Sequence, residues 1–168
     1  TATDTYNTAI GSNAGESVTT GIQNTLIGGF SGSNLTDADF NTAVGLNALI
    51  TDTLGSKSTA IGKSALETQN FTTATDSHNT AVGFNSGLAV TTGIHNTLVG
   101  SLSGDAITIG TNNTAVGITA LGSEVAGQFS VAIGANALAN QSFSTSTDVY
   151  NTAVGLNAGL NVTTGTEN

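Results

Sequence analysis

Three aspartates recur at one interval: Asp4, Asp76 and Asp148 lie 72 residues apart (76 − 4 = 148 − 76 = 72). Hard cations take oxygen ligands, so copies of these carboxylates gathered about a symmetry axis would make a weak candidate metal site. The competing expectation is an Asp that satisfies the amides of its own turn. Phe71 and Phe143 share the same interval (143 − 71 = 72). Each ring either offers a surface contact to a receptor or folds back over an apolar edge of the molecule. His78 and His95, the only histidines, are too few and too far apart in sequence to suggest a metal cluster. Solvated loop positions are expected for them.

No constellation for catalysis emerges. Gly62-Lys63-Ser64 imitates the end of a phosphate-binding loop, but Lys57 stands where that motif needs its first Gly. Nucleophile-elbow, dinucleotide-binding and calcium-nonapeptide patterns do not occur. There is no Cys, so thiol chemistry, disulfides and zinc–thiolate sites are excluded. The carboxylates are sparse and sit mostly in connecting segments, where converging acid–base groups are not expected. The sequence therefore predicts neither an enzyme nor a cofactor-binding protein. Asn-x-Ser/Thr sequons at Asn34, Asn70, Asn112, Asn140 and Asn161 are what an Asn- and Thr-rich composition produces by chance.

Composition narrows the partners. Eleven acidic and two basic side chains give a net charge of −9, the wrong sign for neutralising nucleic-acid phosphates or for docking on anionic membranes. No apolar run reaches the ~20 residues of a membrane-spanning helix, and no signal-peptide pattern is seen. Only 8% of residues are charged, against about 25% in a usual globular domain, so surfaces for amphipathic helices are lacking. The apolar residues, 38% of the chain, recur in register, which argues against disorder. The first residue is Thr and the last, Asn168, opens a new repeat, so the chain reads as part of a longer protein.

The elements that must carry all these residues follow from a nonapeptide. Asn-Thr-Ala-Ile-Gly-Ser-Asn-Ala-Gly begins at Asn7, and relatives begin at Asn24, Asn41, Ser58, Asn79, Asn96, Asn113, Ser130 and Asn151. The spacings run 17, 17, 17, 21 twice and then 17, so four units make a block of 72 residues (3 × 17 + 21). Residues 7–78 and 79–150 are two such blocks and 151–168 begins a third, all within one repetitive segment covering residues 1–168. The extra residues fall within 67–78 and 139–150, read as loops bulging from the body.

Each column of the repeat has a physical meaning. Column five is always Gly (Gly11, Gly28, Gly45, Gly62, Gly83, Gly100, Gly117, Gly134, Gly155), as expected for a positive φ or a close approach of backbones. Column one is Asn (Asn7, Asn24, Asn41, Asn79, Asn96, Asn113, Asn151, with Ser58 and Ser130 as exceptions), and stacking would align these amides into a ladder. Column eight is always Ala or Ser, so something packs tightly against it. Column nine follows the block, reading Gly15, Gly32, Leu49, Leu66, then Gly87, Gly104, Leu121, Leu138, which predicts a cross-section varying every four units.

Columns three (Ala or Leu) and four (Ile or Val) are adjacent and both apolar. In a strand, neighbours point to opposite faces, so both faces want cover. Ordering 17 residues costs on the order of 17–34 kcal/mol, far more than the roughly 1.5–3 kcal/mol that one buried Ile or Val contributes. A unit cannot fold alone. Stacked at about 4.8 Å, nine units would form a parallel β-solenoid about 43 Å long, with other chains sheltering the second apolar face.

Ser130-Val131-Ala132-Ile133-Gly134 and its Asn-Thr variants resemble the head repeats of trimeric autotransporter adhesins of the YadA-like family, and Thr91-Thr92-Gly93 ahead of His95-Asn96-Thr97 is similar to repeats of phage tail-fibre-like proteins. The resemblance spans nearly the whole chain. It implies an all-β fold, a left-handed parallel β-roll, a homotrimer that is intertwined or side by side, and adhesion or host recognition at a cell surface or virion. The units here, at 17 and 21 residues, are longer than the adhesin's.

The expected function is thus a structural shaft or head segment of an extracellular or virion fibre. The alternatives are a surface-adhesive module that holds a host receptor or glycan, and a subunit of a self-assembled filament whose end strands pair with further copies. A weaker one is an ice-binding hydroxyl array on Thr8, Thr25, Thr42, Thr59, Thr80, Thr97, Thr114 and Thr152. That array calls for two parallel Thr ranks, whereas the residue two along is Ile or Val.

Overall fold

The computed structural model describes residues 4–168, and no helix occurs among them. The strands, in chain order, are β1 (Thr8–Ile10), β2 (Thr25–Ile27), β3 (Thr42–Val44), β4 (Gly55–Ser56), β5 (Thr59–Ile61), β6 (Thr75–Asp76), β7 (Thr80–Val82), β8 (Thr97–Val99), β9 (Thr114–Val116), β10 (Gly127–Gln128), β11 (Val131–Ile133), β12 (Thr147–Asp148) and β13 (Thr152–Val154). Nine of them form one parallel sheet in the order β1-β2-β3-β5-β7-β8-β9-β11-β13. Thr8 pairs with Thr25, Ala9 with Leu26 and Ile10 with Ile27, and the same in-register matching continues along the rod. The chain is a parallel β-solenoid of about nine turns. Columns two to four of the nonapeptide supply the strand in every turn.

Column five shows why the stack tolerates only Gly. Gly28 has φ +132°, and a β-carbon placed on it would lie 2.6 Å from the carbonyl oxygen of Gly45 in the next turn. The same clash, backbone against backbone, repeats from Gly11 to Gly134. An L side chain would be strained by the torsion and would also push the turns apart.

Column one does a different job from the expected amide ladder. The Asn24 Oδ1 accepts the backbone N–H of Asn41 at 2.9 Å, while its Nδ2 donates to the Ala38 carbonyl at 2.7 Å. Asn96 repeats this with the Asn113 N–H (3.0 Å) and the Gly110 carbonyl (2.9 Å). Each buried amide therefore ties its own turn shut and also holds the start of the next. Amide-to-amide bonds occur only at Asn24–Asn7 and Asn168–Asn151. Asn suits the place because one short side chain must offer both a donor and an acceptor.

The interior is one Ala/Leu column filled in two alternative ways. Where column nine is Gly, a Leu from column three occupies the space: a β-carbon on Gly104 would lie 2.7 Å from Leu98 Cδ2 and 2.9 Å from Ile107 Cδ1. Where column three is Ala, the filler comes from column nine, and Leu49, Leu66, Leu121 and Leu138 are all buried. Those four leucines hold φ between +50° and +54°. That left-handed conformation is unfavourable for L residues by roughly 1–2 kcal/mol each, so their burial offsets a real backbone strain. This exchange between columns is the physical origin of the four-turn variation.

The segments 67–78 and 139–150 are more ordered than bulging loops. β6 pairs with β4 and β12 with β10, each in parallel, and Gln69, Gln141 and Val149 are fully buried.

The core exchange makes a quantitative test. Leu98→Ala should destabilise the protein by about 2–5 kcal/mol, and Gly104→Ala should destabilise it through the clash with the same leucine. The double substitution should cost less than the sum, by about 0.5–3 kcal/mol of coupling, in a double-mutant cycle measured by denaturant unfolding. Strict additivity would refute the shared-space account.

Candidate functional site

The strands present two outward columns. Column three points inward and is buried from Leu26 to Ala153, whereas the Thr of column two and the Ile or Val of column four face out and are half-buried or exposed. One chain thus shelters one apolar column and leaves the other open. Ile61 and Ile133 are 38% and 39% exposed, and the row is widened by Leu46, Phe84, Ile118 and Leu156 of column six. Lys63 lies over the Phe84 ring, 5.2 Å from its centre, on this same side. The Thr rank runs beside an apolar rank, so the face carries a single line of hydroxyls.

A second column stands immediately before each Asn: Tyr6, Gln23, Phe40, Lys57, His78, His95, Asn112, Phe129 and Tyr150, all with φ between +49° and +63°. Backbone bonds between turns hold this unfavourable torsion, such as Phe40 N–H to the Ile22 carbonyl (3.0 Å) and His95 N–H to the Ser77 carbonyl (2.8 Å). Because the backbone state repeats, side chains in adjacent turns project alike and planar groups stack. Phe129 and Tyr150 are 5.2 Å apart with planes within 10°, and His78 and His95 are 5.6 Å apart at 30°. The expectation that the two histidines are distant is therefore wrong in space. Their separation of 17 (95 − 78) is one turn, a signal that was present in the period of the repeat.

The three aspartates lie four turns apart on the surface and are exposed. Each has its own neighbour: Tyr6 and Tyr150 donate their hydroxyls to Asp4 (3.2 Å) and Asp148 (3.3 Å), and Lys57 Nζ meets Asp76 at 2.5 Å. The Lys57 hydrogen bond holds the Asp76 carboxyl below its ordinary pKa, aided by the charges of Lys57 and His78. Conversely, the Asp148 charge raises the pKa of the Tyr150 hydroxyl. Within one chain no group of three His, Cys, Asp or Glu side chains converges among the described residues. Phe71 is folded inward and buried, so it is not a surface contact; Phe143, its counterpart, is half-buried.

Beneath each long turn lies a buried polar node that sequence reasoning missed. The Asp52 carboxylate accepts the N–H groups of Gly55 (3.1 Å) and Phe71 (3.0 Å) on one oxygen and Gln69 Nε2 (2.6 Å) on the other. Gln69 also donates to Ser58 Oγ (3.0 Å) and accepts from Asn79 Nδ2 (2.8 Å). One block later Glu124 accepts the amides of Val125, Ala126, Gly127 and Phe143 on one oxygen, and Gln141 on the other. Gln141 then links Ser130 (3.1 Å) to Asn151 (2.8 Å). Both carboxylates are fully buried with no cation beside them, a state that requires several N–H donors aimed at the charge. The Gln amide takes over where Ser replaces Asn in column one. The signal was legible: the twelfth column reads Val18, Leu35, Asp52, Gln69, then Val90, Ile107, Glu124, Gln141. Compared with protein-family models, curated proteins and solved structures, the chain matches none.

Removing the Asp52 carboxylate leaves two backbone donors and the Gln69 amide without an acceptor, each at about 1–3 kcal/mol. Asp52→Ala should therefore speed hydrogen exchange at the Phe71 and Gly55 amides and open the 70–76 segment to protease. The Gly127 amide, held by Glu124, serves as the internal reference and should not change.

Proposed function

We propose that the chain is a shaft or head segment of a homotrimeric extracellular or virion fibre, whose rods, left-handed β-rolls, pack side by side or intertwine and support adhesion or host recognition. The observation that carries this reading is the uncovered Ile/Val column with Leu46, Phe84, Ile118 and Leu156 beside it. Nine turns at about 4.8 Å and a strip about 10 Å wide come to roughly 400 Å², as large as the biggest apolar patch on most monomers. An ordered ridge of β-branched residues with a fixed repeat best fits an identical ridge on another copy. The acidic surface and the sparse chemical groups support a rod that spaces or presents rather than transforms.

Sedimentation equilibrium should give three times the 16.5 kDa chain mass. Val82→Glu combined with Val116→Glu, which puts charges into the middle of the strip while leaving the inward Ala81 and Ala115 untouched, should yield monomers with unchanged β-structure by circular dichroism. A wild-type chain that stays monomeric up to its solubility limit would remove the trimer. Binding of the purified segment to candidate host cells would favour an adhesive flank over a passive spacer.

A further inference from the structure

The stacked histidines are the one place where metal-ligating groups of different turns meet. His78 and His95 occupy equivalent positions in successive turns, both exposed, with rings 5.6 Å apart. Neighbouring backbones are bonded on both sides of the pair, since the His95 N–H donates to Ser77 and the Asn96 N–H donates to Asn79 Oδ1. The Cα positions are thus fixed by the ladder while the imidazoles turn freely, as exposed side chains do on the picosecond to nanosecond scale.

Imidazole nitrogens coordinate late first-row divalent ions at about 2.0–2.1 Å. Two nitrogens on one ion lie about 3 Å apart. Rings already inclined at 30° reach that spacing by closing their outer edges, with no backbone movement. The surroundings favour a cation as well. Asp76, two residues before His78, feels the His78 charge, and Lys57, the nearest ammonium, is held on the Asp76 carboxylate. Asn112, in the turn beyond His95, is neutral, and the chain carries a net charge of −9.

We propose that His78 and His95 form a two-histidine surface site for a late first-row divalent ion such as Ni²⁺, Cu²⁺ or Zn²⁺, with water in the remaining positions and Asp76 as its acidic neighbour. The site needs a single chain and is independent of the fibre reading. Its place beside the long turn 58–78 puts a bound ion on the flank of the rod, open to a second ligand.

Calorimetric titration of the whole chain with NiCl₂ should show one site per chain. His78→Ala and His95→Ala should each weaken it about tenfold or more, since loss of outer-shell partners alone costs 10–100-fold. Both variants should keep the thermal midpoint of the metal-free protein, because these side chains are exposed. Paramagnetic Ni²⁺ should broaden the His78 and His95 ring resonances before any other. Undiminished binding in the double variant, broadening centred on carboxylates elsewhere, or no binding at millimolar Ni²⁺ would each overturn the assignment.

Discussion

Backbones in successive turns approach so closely at the glycine column that no β-carbon fits between them. With Gly45 carbonyl oxygen 2.6 Å from where a Gly28 side chain would begin, the turns are locked at one spacing and in one register. Everything else inherits that register: a residue meets its own counterpart 17 or 21 positions away, and columns rather than segments become the units of structure. Parallel in-register stacking satisfies the backbone polar groups, and the buried Asn column closes each turn against the next.

A fixed register makes the interior a filling problem with few solutions. The space between turns accepts one large aliphatic side chain, from column three as in Leu26 and Leu98 or from column nine as in Leu49 and Leu121. The second solution vacates column twelve for a polar group, and there the two carboxylate–glutamine nodes sit. They fasten the longer turns, bringing Phe71 or Phe143 amides onto a buried acid. Core filling, buried charge and turn length therefore change together every 72 residues. The swap of Asp52 for Glu124 shows the node adjusting by one methylene: the longer side chain adds the Val125 and Ala126 amides to its acceptor contacts.

The same register governs the outside. An Ile/Val rank beside a Thr rank makes a flat, half-open apolar face, and the column before each Asn makes a line of planar groups in left-handed torsion. Whatever covers or touches this rod meets a periodic surface, so weak contacts add along its length. That is the physical sense in which a chain poor in reactive groups can still be specific.

The nonapeptide by itself determined the solenoid, the strand positions, the glycine column and the two apolar faces, because a strand's period of two and a turn's steric limits act within a few residues. The four-turn alternation was visible in column nine but its cause was not, since Gly104 and Leu98 belong to different columns and share space only after the turn closes. Phe71 lay open between surface and interior until the Asp52 node drew its amide inward. His78 and His95 were judged by distance along the chain, which in a stacked fold is not distance in space. Tertiary structure decided what depends on how a turn closes across itself and onto its neighbour, for there the partners are set by geometry rather than by sequence proximity.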